Sequence, residues 1–275
     1  MQYLVVRYAK RGKMRFASHR DVARAFERGV RRAGLPIAYS AGFTPHPKIS
    51  YAGGAPTGVA SEAEYLSLAL TARQAETQVC RLLNAALPDG IDVIDVTEDA
   101  GGGGKPPAGS GSVSSSGSVP SGGVPSGRAS SGGFAHLEAS EWRMVLPGVT
   151  PEAARRAVAG FLARAEAPVE RLTDKGVRRL DARAAVLEMT VLDVDGVAAG
   201  SPAAAGPDGG ASAAGTGLEG CAILRMVVLH TAPAVRPEDI VAALREQDGI
   251  APSSPPMITR LAQGPRALLA SRDAS

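Results

Sequence analysis

With 275 residues, 44% of them hydrophobic and 4% aromatic, the chain is long enough for two domains, or for one with insertions, around a core of aliphatic side chains and alanine. A formal charge of +3 and a pI near 9.0 are compatible with a nucleic-acid partner. No apolar run approaches the ~20 residues that span a bilayer, and the N-terminus enters a strand pattern with no signal-peptide features, so no membrane contact and a cytoplasmic location are expected.

The first half reads in the order βαββαβ. Residues 2–8 are a β-branched and aromatic strand, and 14–16 resume it after a basic turn at Arg11-Gly12. A helix follows over 19–33. Ser18 with Asp21 three residues on is a capping-box start, and Gly34 with Pro36 is a stop. Short strands at 37–40 and 48–52 flank a Gly/Pro-rich loop. Residues 64–70 alternate Leu66, Leu68 and Leu70 on one face, as a half-buried strand does. A second helix, capped by Thr71 with Gln74, carries Val79, Leu82, Leu83 and Ala86 at helical spacing, and 91–96 close the unit as a strand.

Between residues 101 and 130, 23 of 30 positions are Gly, Ser or Pro, too little apolar surface to offset ordering entropy, so the stretch reads as a flexible linker. The second half then repeats the order. Residues 141–146 are a strand, and Thr150-Pro151 opens a helix with Ala154, Val158, Phe161, Leu162 and Ala165 inward. Strands at 169–172 and 185–192 enclose a basic turn at 175–179. A soft Ala/Gly/Pro-rich insert spans 194–220, before a long apolar strand at 221–230. Arg236-Pro237 opens a helix with Ile240, Val241 and Leu244 inward, and 257–261 are the last strand. Two βαββαβ units predict an α+β chain of tandem ferredoxin-like halves with flexible Gly/Ser-rich inserts. The expected division is 1–99, a linker at 100–138, 139–263, and a tail at 264–275.

Charge is unevenly placed. From Arg7 to Arg32 ten basic residues face two acids, a local +8 that leaves −5 for the rest of the chain. At 100° per residue, Val22, Ala25, Phe26, Gly29, Val30 and Ala33 share one side of the first helix. Arg20, Arg24, Arg28 and Arg31 run up the other, with Arg32 at its edge. Guanidinium groups in a row repel one another, and a phosphate backbone is their natural complement. An acidic protein surface or a plain solvated face are the other readings. Arg11, Lys13 and Arg15 extend the cluster towards His19, which sits at the helix N-terminus, either as a general acid or base or as a locally packed side chain.

In the loop Gly42-Phe43-Thr44-Pro45-His46-Pro47-Lys48, the prolines fix the directions of Phe43, His46 and Lys48. Phe43 is read either as a base-stacking ring or as the lid of a small core. The stretch Gly53-Gly54-Ala55-Pro56-Thr57-Gly58 lacks the spacing of nucleotide-binding fingerprints and reads as a turn. Lys175, Arg178 and Arg179 form a basic turn that is either solvated or an extension of the same path. Cys80 and Cys221 are isolated and read as small buried hydrophobes. Without a CxxC pair, neither a metal site nor a cofactor is expected.

The series Arg15-Phe16-Ala17-Ser18-His19-Arg20-Asp21, Phe26-Glu27-Arg28, Arg31-Arg32-Ala33-Gly34-Leu35-Pro36, Gly42-Phe43-Thr44-Pro45-His46-Pro47 and Gly58-Val59-Ala60-Ser61-Glu62-Ala63-Glu64-Tyr65 resembles the radical-SAM-associated domain of unknown function. The likeness covers about residues 2–97. It continues more weakly through Lys175 to Arg183 and through Arg236-Pro237-Glu238-Asp239. That family is found fused behind, or encoded beside, a radical SAM protein. This chain carries no radical SAM cysteine motif, so the resemblance implies a free-standing member with a radical SAM protein encoded nearby. A looser, architectural likeness is to the RNA-processing endoribonucleases of CRISPR systems, whose C-terminal glycine-rich loop has no counterpart here.

The expectation is an RNA-binding or substrate-presenting module, non-catalytic by itself and without sequence-specific DNA binding, that works with a radical SAM protein. One alternative is a metal-independent RNA-processing or RNA-modifying enzyme using His19 or His46. The other is an adaptor whose basic face docks on an acidic partner surface.

Overall fold

The structure, a computed structural model, describes residues 1–41, 43–99, 134–173, 176–192 and 220–270. The insert read at 101–130, all of the insert read at 194–220 except Gly220, and Lys175 lie outside the described residues.

The first half opens with β1 (Gln2–Lys10), where Leu4, Val6 and Tyr8 are buried and Tyr3, Val5 and Arg7 alternate with them on the other face. It continues with α1 (His19–Arg32), β2 (Ile49–Tyr51), β3 (Ala60–Leu70), α2 (Glu76–Ala86) and β4 (Ile91–Glu98). Strand β1 lies between β3 and β4, antiparallel to both, with Leu4 opposite Leu68 and Val6 opposite Leu66 and Val96. Val22, Phe26 and Val30 of α1, with Val79 and Leu83 of α2, seal the leucine face into one core. The opposite face of these strands carries no helix of this half.

The second half comprises β5 (Ala139–Pro147), α3 (Pro151–Ala163), β6 (Pro168–Thr173), β7 (Gly176–Asp181), α4 (Ala182–Ala185), β8 (Val186–Leu192), β9 (Cys221–Leu229), α5 (Pro237–Asp248), β10 (Met257–Gly264) and α6 (Arg266–Ala270). Its core joins Met144, Leu146, Leu224 and Met226 of the sheet to Phe161 of α3 and Ile240 and Leu244 of α5.

One eight-stranded mixed sheet runs through both halves in the order β4-β1-β3-β10-β5-β9-β8, with β2 on β3. The junction is the single parallel pairing, β10 against β3, at Thr259–Ala60 and Arg260–Ser61. The chain is therefore an α+β protein with a mainly mixed sheet and six helices among the described residues.

Several elements depart from the sequence reading for local reasons. Residues 14–16 are not a strand: β1 ends at Lys10, and a 3-10 helix, Gly12–Phe16, follows Gly12 at φ +52°. Thr71 and Gln74 do not cap α2. The Thr71 hydroxyl donates to Pro36 O and the Gln74 amide to Gln2 Oε1, and the helix starts later, behind Ala75. Residues 37–40 form only isolated bridges, Ile37–Leu70 and Tyr39–Pro47. Arg178 and Arg179 lie in β7, paired with β6 in a separate hairpin, and not in a turn. Ala165 lies beyond the end of α3 and is exposed, and Cys80 and Cys221 are half-buried, not buried.

Candidate nucleic-acid interface

Helix α1 begins as its sequence demands. The Asp21 amide donates to Ser18 Oγ at 3.3 Å, while the Ser18 amide and hydroxyl donate to Asp21 Oδ2 at 3.1 and 2.6 Å. Those bonds hold the Asp21 carboxyl below its ordinary pKa, the Ser18 hydroxyl being the largest cause. Gly34 at φ +62° follows the last turn, a conformation that a Cβ would disfavour. Val22, Ala25, Phe26, Gly29 and Val30 are buried against the sheet and α2, so Arg20, Arg24, Arg28 and Arg31 face outward, and all four are exposed. Among the described residues, no carboxylate comes within ion-pair distance of these four.

The rest of the basic cluster divides. Arg11 is engaged: its Nε donates to Glu62 Oε1 at 2.8 Å, its Nη2 to Glu62 Oε2, and its Nη1 to Asp92 Oδ2 at 3.0 Å. Arg7 Nε donates to Glu62 O and Arg32 Nη1 to Ala86 O, both at 3.2 Å. Lys10 is buried, its Nζ donating to Ala55 O and Pro56 O, and burial lowers its pKa. Among the described residues Lys13 and Arg15, beside the helix, form no ion pair, and the Arg15 guanidinium lies 4.6 Å above the exposed Phe16 ring.

His19 is exposed, edge-on to Tyr51 with ring centroids 5.3 Å apart. Its ring reaches Gly54 so closely that a Cβ there would lie 3.3 Å from His19 Cδ2 and 3.4 Å from Glu64 Oε2. Phe43 is fully exposed, which removes its reading as the lid of a core. His46 and Lys48 are exposed beside it, but on the sheet's other face: they line a depression with Tyr3, Ser67 and Ala69, opposite the side that α1 covers. Arg178 and Arg179 are exposed on a hairpin that packs with α4 and α5, away from α1. The structure thus brings Lys13, Arg15, His19, Arg20, Arg24, Arg28 and Arg31 together, and sets Phe43, His46 and Lys48 at the β2 edge.

Beneath this surface lies a polar row absent from the sequence reading. Tyr8, Glu64, Arg260 and Trp142 follow one another across β1, β3, β10 and β5, between the two cores. Arg260 Nη1 donates to Glu64 Oε1 at 3.1 Å and to Gly53 O at 2.9 Å, and its guanidinium stacks 4.6 Å over Trp142. Glu64 Oε2 accepts from the Ala55 amide at 3.1 Å. Burial raises the pKa of Tyr8 well above its ordinary value and lowers that of Arg260. A signal for Glu64 existed: the alternation of Leu66, Leu68 and Leu70, run back two residues, puts its carboxylate on the core face. Nothing local marks Arg260, whose partner is 196 positions away. Among the described residues, no three His, Cys, Asp or Glu side chains are grouped to hold a metal ion, and no helix is long and apolar enough to cross a membrane.

Fold and surface together define a class: an α+β protein whose mixed sheet presents an arginine-faced helix on one side and, among the described residues, no helix over the first-half strands on the other. The chain belongs to the family described as "Uncharacterized protein conserved in bacteria (DUF2344)", whose model matches residues 3–108 and 125–237. A search of curated proteins returns no match to the chain.

Proposed function

We propose that this protein is an RNA-binding or substrate-presenting module that acts with a radical SAM protein and carries no catalysis of its own. The observation that carries this reading is the row of four exposed arginines on α1, with no carboxylate partner among the described residues. Arginine binds phosphate in bidentate fashion, and a regular row of it suits a repeating phosphate chain better than a single anion. The radical SAM association rests on the motif series running from Arg15 to Tyr65. A ferredoxin-like reading of each half is supported by strand order: with the separate β6–β7 hairpin set aside, β4-β1-β3-β2 and β10-β5-β9-β8 both place fourth, first, third and second strands in turn.

The test is a salt titration of single-stranded RNA binding by the full chain. Arg24→Glu with Arg28→Glu is expected to weaken binding and to lower the slope of log K against log salt by about 1.4, at roughly 0.7 per phosphate contact. Unchanged affinity and slope overturn the RNA reading. The adaptor reading uses the same arginines, and it predicts capture of the radical SAM protein without RNA affinity. The enzymatic reading gains one observation, the placing of His19 beside Tyr51 and Gly54. Its requirement is turnover of RNA by the purified protein that Ala at position 19 abolishes.

A further inference from the structure

The first-half sheet face opposite α1, which no described helix covers, is not featureless. At its β2 edge lies a depression of about 270 Å³, lined by Tyr3 of β1, Ser67 and Ala69 of β3, Ser50 of β2, and the segment His46-Pro47-Lys48. The floor is made of small side chains: Ser50 pairs directly with Ser67, and Tyr3 pairs with Ala69. Tyr3 flanks this floor from β1, and Lys48 and His46 flank it from the β2 side. Among the described residues no carboxylate lines the depression, which disfavours a cationic ligand and favours an anionic one.

The basic flank is held in place. The Ser40 amide donates to His46 O at 2.9 Å, and the His46 amide donates back to Ser40 Oγ at 3.0 Å. On the neighbouring strand, the Lys48 amide donates to Ala38 O at 2.8 Å, while Lys48 O accepts from the Ala69 amide at 3.1 Å. With Pro45 and Pro47 restricting the backbone between them, little ordering remains to be done on binding.

We propose that this depression holds one nucleotide of a bound RNA strand. The phosphate sits on Lys48 and His46, the base lies beside the Tyr3 ring over the serine and alanine floor, and the hydroxyls of Ser50 and Ser67 meet ribose or base edges. The volume lies at the small end for ligand sites, which run from about 300 Å³ upward, and so suits one nucleotide and not two. This assignment rests on the RNA reading of α1 and deepens it. Tyr51 donates its hydroxyl to Ala23 O of α1 at 3.4 Å, so the helix leans on β2, and the exposed Phe43 projects from the loop at that same edge. A strand leaving the arginine face reaches the open face by passing over this edge.

The experiment uses the full chain with a single-stranded RNA hexamer and, separately, with the four free 5′-mononucleotides. RNA affinity is read by fluorescence anisotropy, and mononucleotide contact by saturation-transfer NMR. Ser67→Phe fills the floor, and Lys48→Gln removes an exposed charge without touching the core. Far-UV circular dichroism and the urea midpoint confirm that each variant is folded.

Wild-type protein is expected to transfer saturation to base and ribose protons of at least one mononucleotide, and Ser67→Phe to abolish it. RNA affinity should fall about tenfold in Ser67→Phe, the scale of one lost base contact, and less in Lys48→Gln. If both folded variants bind RNA and mononucleotide as wild type does, the pocket assignment is wrong, while the RNA reading of α1 stands on its own salt slope. If wild type binds mononucleotide here but no RNA, the RNA reading is wrong and the pocket stands as a mononucleotide site.

Discussion

The arginines of α1 and those of the sheet and second half are the same side chain put to opposite uses. Arg164 grips Asp248 with two bonds, at 2.8 and 2.7 Å; Arg171 reaches Asp239 at 2.7 Å; Arg225 joins Glu141 at 2.7 Å; and Arg260 meets Glu64 at 3.1 Å. Each of these ties together elements that are distant in the chain. Arg20, Arg24, Arg28 and Arg31 join no elements among the described residues, and like charges at helical spacing cost a few tenths of a kcal/mol per pair (about 0.2–0.5). Charge that stabilises the fold is paired, and among the described residues the exposed row on α1 is not.

The strongest way to break this contrast is to unpair a buried arginine. Glu64→Ala leaves Arg260, only 5% exposed, with a carbonyl and an indole face but no counter-charge. The expected loss is about 3–5 kcal/mol in urea unfolding, because an uncompensated charge stays buried. Glu64→Leu combined with Arg260→Met removes both charges and should recover most of that loss. If the single variant costs no more than the double, Arg260 is not acting as a buried cation and the seam does not depend on the pair.

How these two groups appear in sequence follows from the range of their interactions. The arginine face of α1 was legible because every relation that defines it lies within a few residues: the cap at Ser18, the apolar side from Val22 to Val30, and the stop at Gly34. The alternating leucines of β3 and the Thr150-Pro151 start of α3 were legible for the same reason. The polar row was not, since Arg260 and Glu64 meet only because β10 crosses to pair with β3. The split of Phe43, His46 and Lys48 from the helix face was equally hidden, as it depends on which side of the sheet the loop after α1 emerges. Arg11 looks like the stripe arginines in sequence, and only the fold brings Glu62 and Asp92 to it.

A smaller effect is expected at the helix. Arg24→Glu with Arg28→Glu touches no side-chain bond among the described residues, so its unfolding free energy should stay within about 0.5 kcal/mol of wild type, as exposed substitutions do. That is the complement of the Glu64 result: large for RNA, negligible for stability. A loss comparable to that of Glu64→Ala would mean that these arginines have partners within the chain, and the contrast between the two groups would fail.

The smallest effect concerns Asp21, the acid in the first turn of α1. Its carboxyl is held below the ordinary value of 3.8, first by the Ser18 hydroxyl and next by the Ser18 amide, with Arg24 and Arg20 contributing least. The sign follows from the depression: the contribution to stability is complete above pH 3.8 and is lost as the pH falls through the lowered pKa. Asp21→Asn should therefore be less stable than wild type near neutrality, and the difference should shrink in acid. Carbon-13 NMR titration of the Asp21 carboxyl then separates cap from stripe. In Arg20→Gln with Arg24→Gln the pKa should remain depressed, because its main cause is untouched. If it instead returns to 3.8, Asp21 belongs to the arginines and not to the cap, and part of the row on α1 is paired after all.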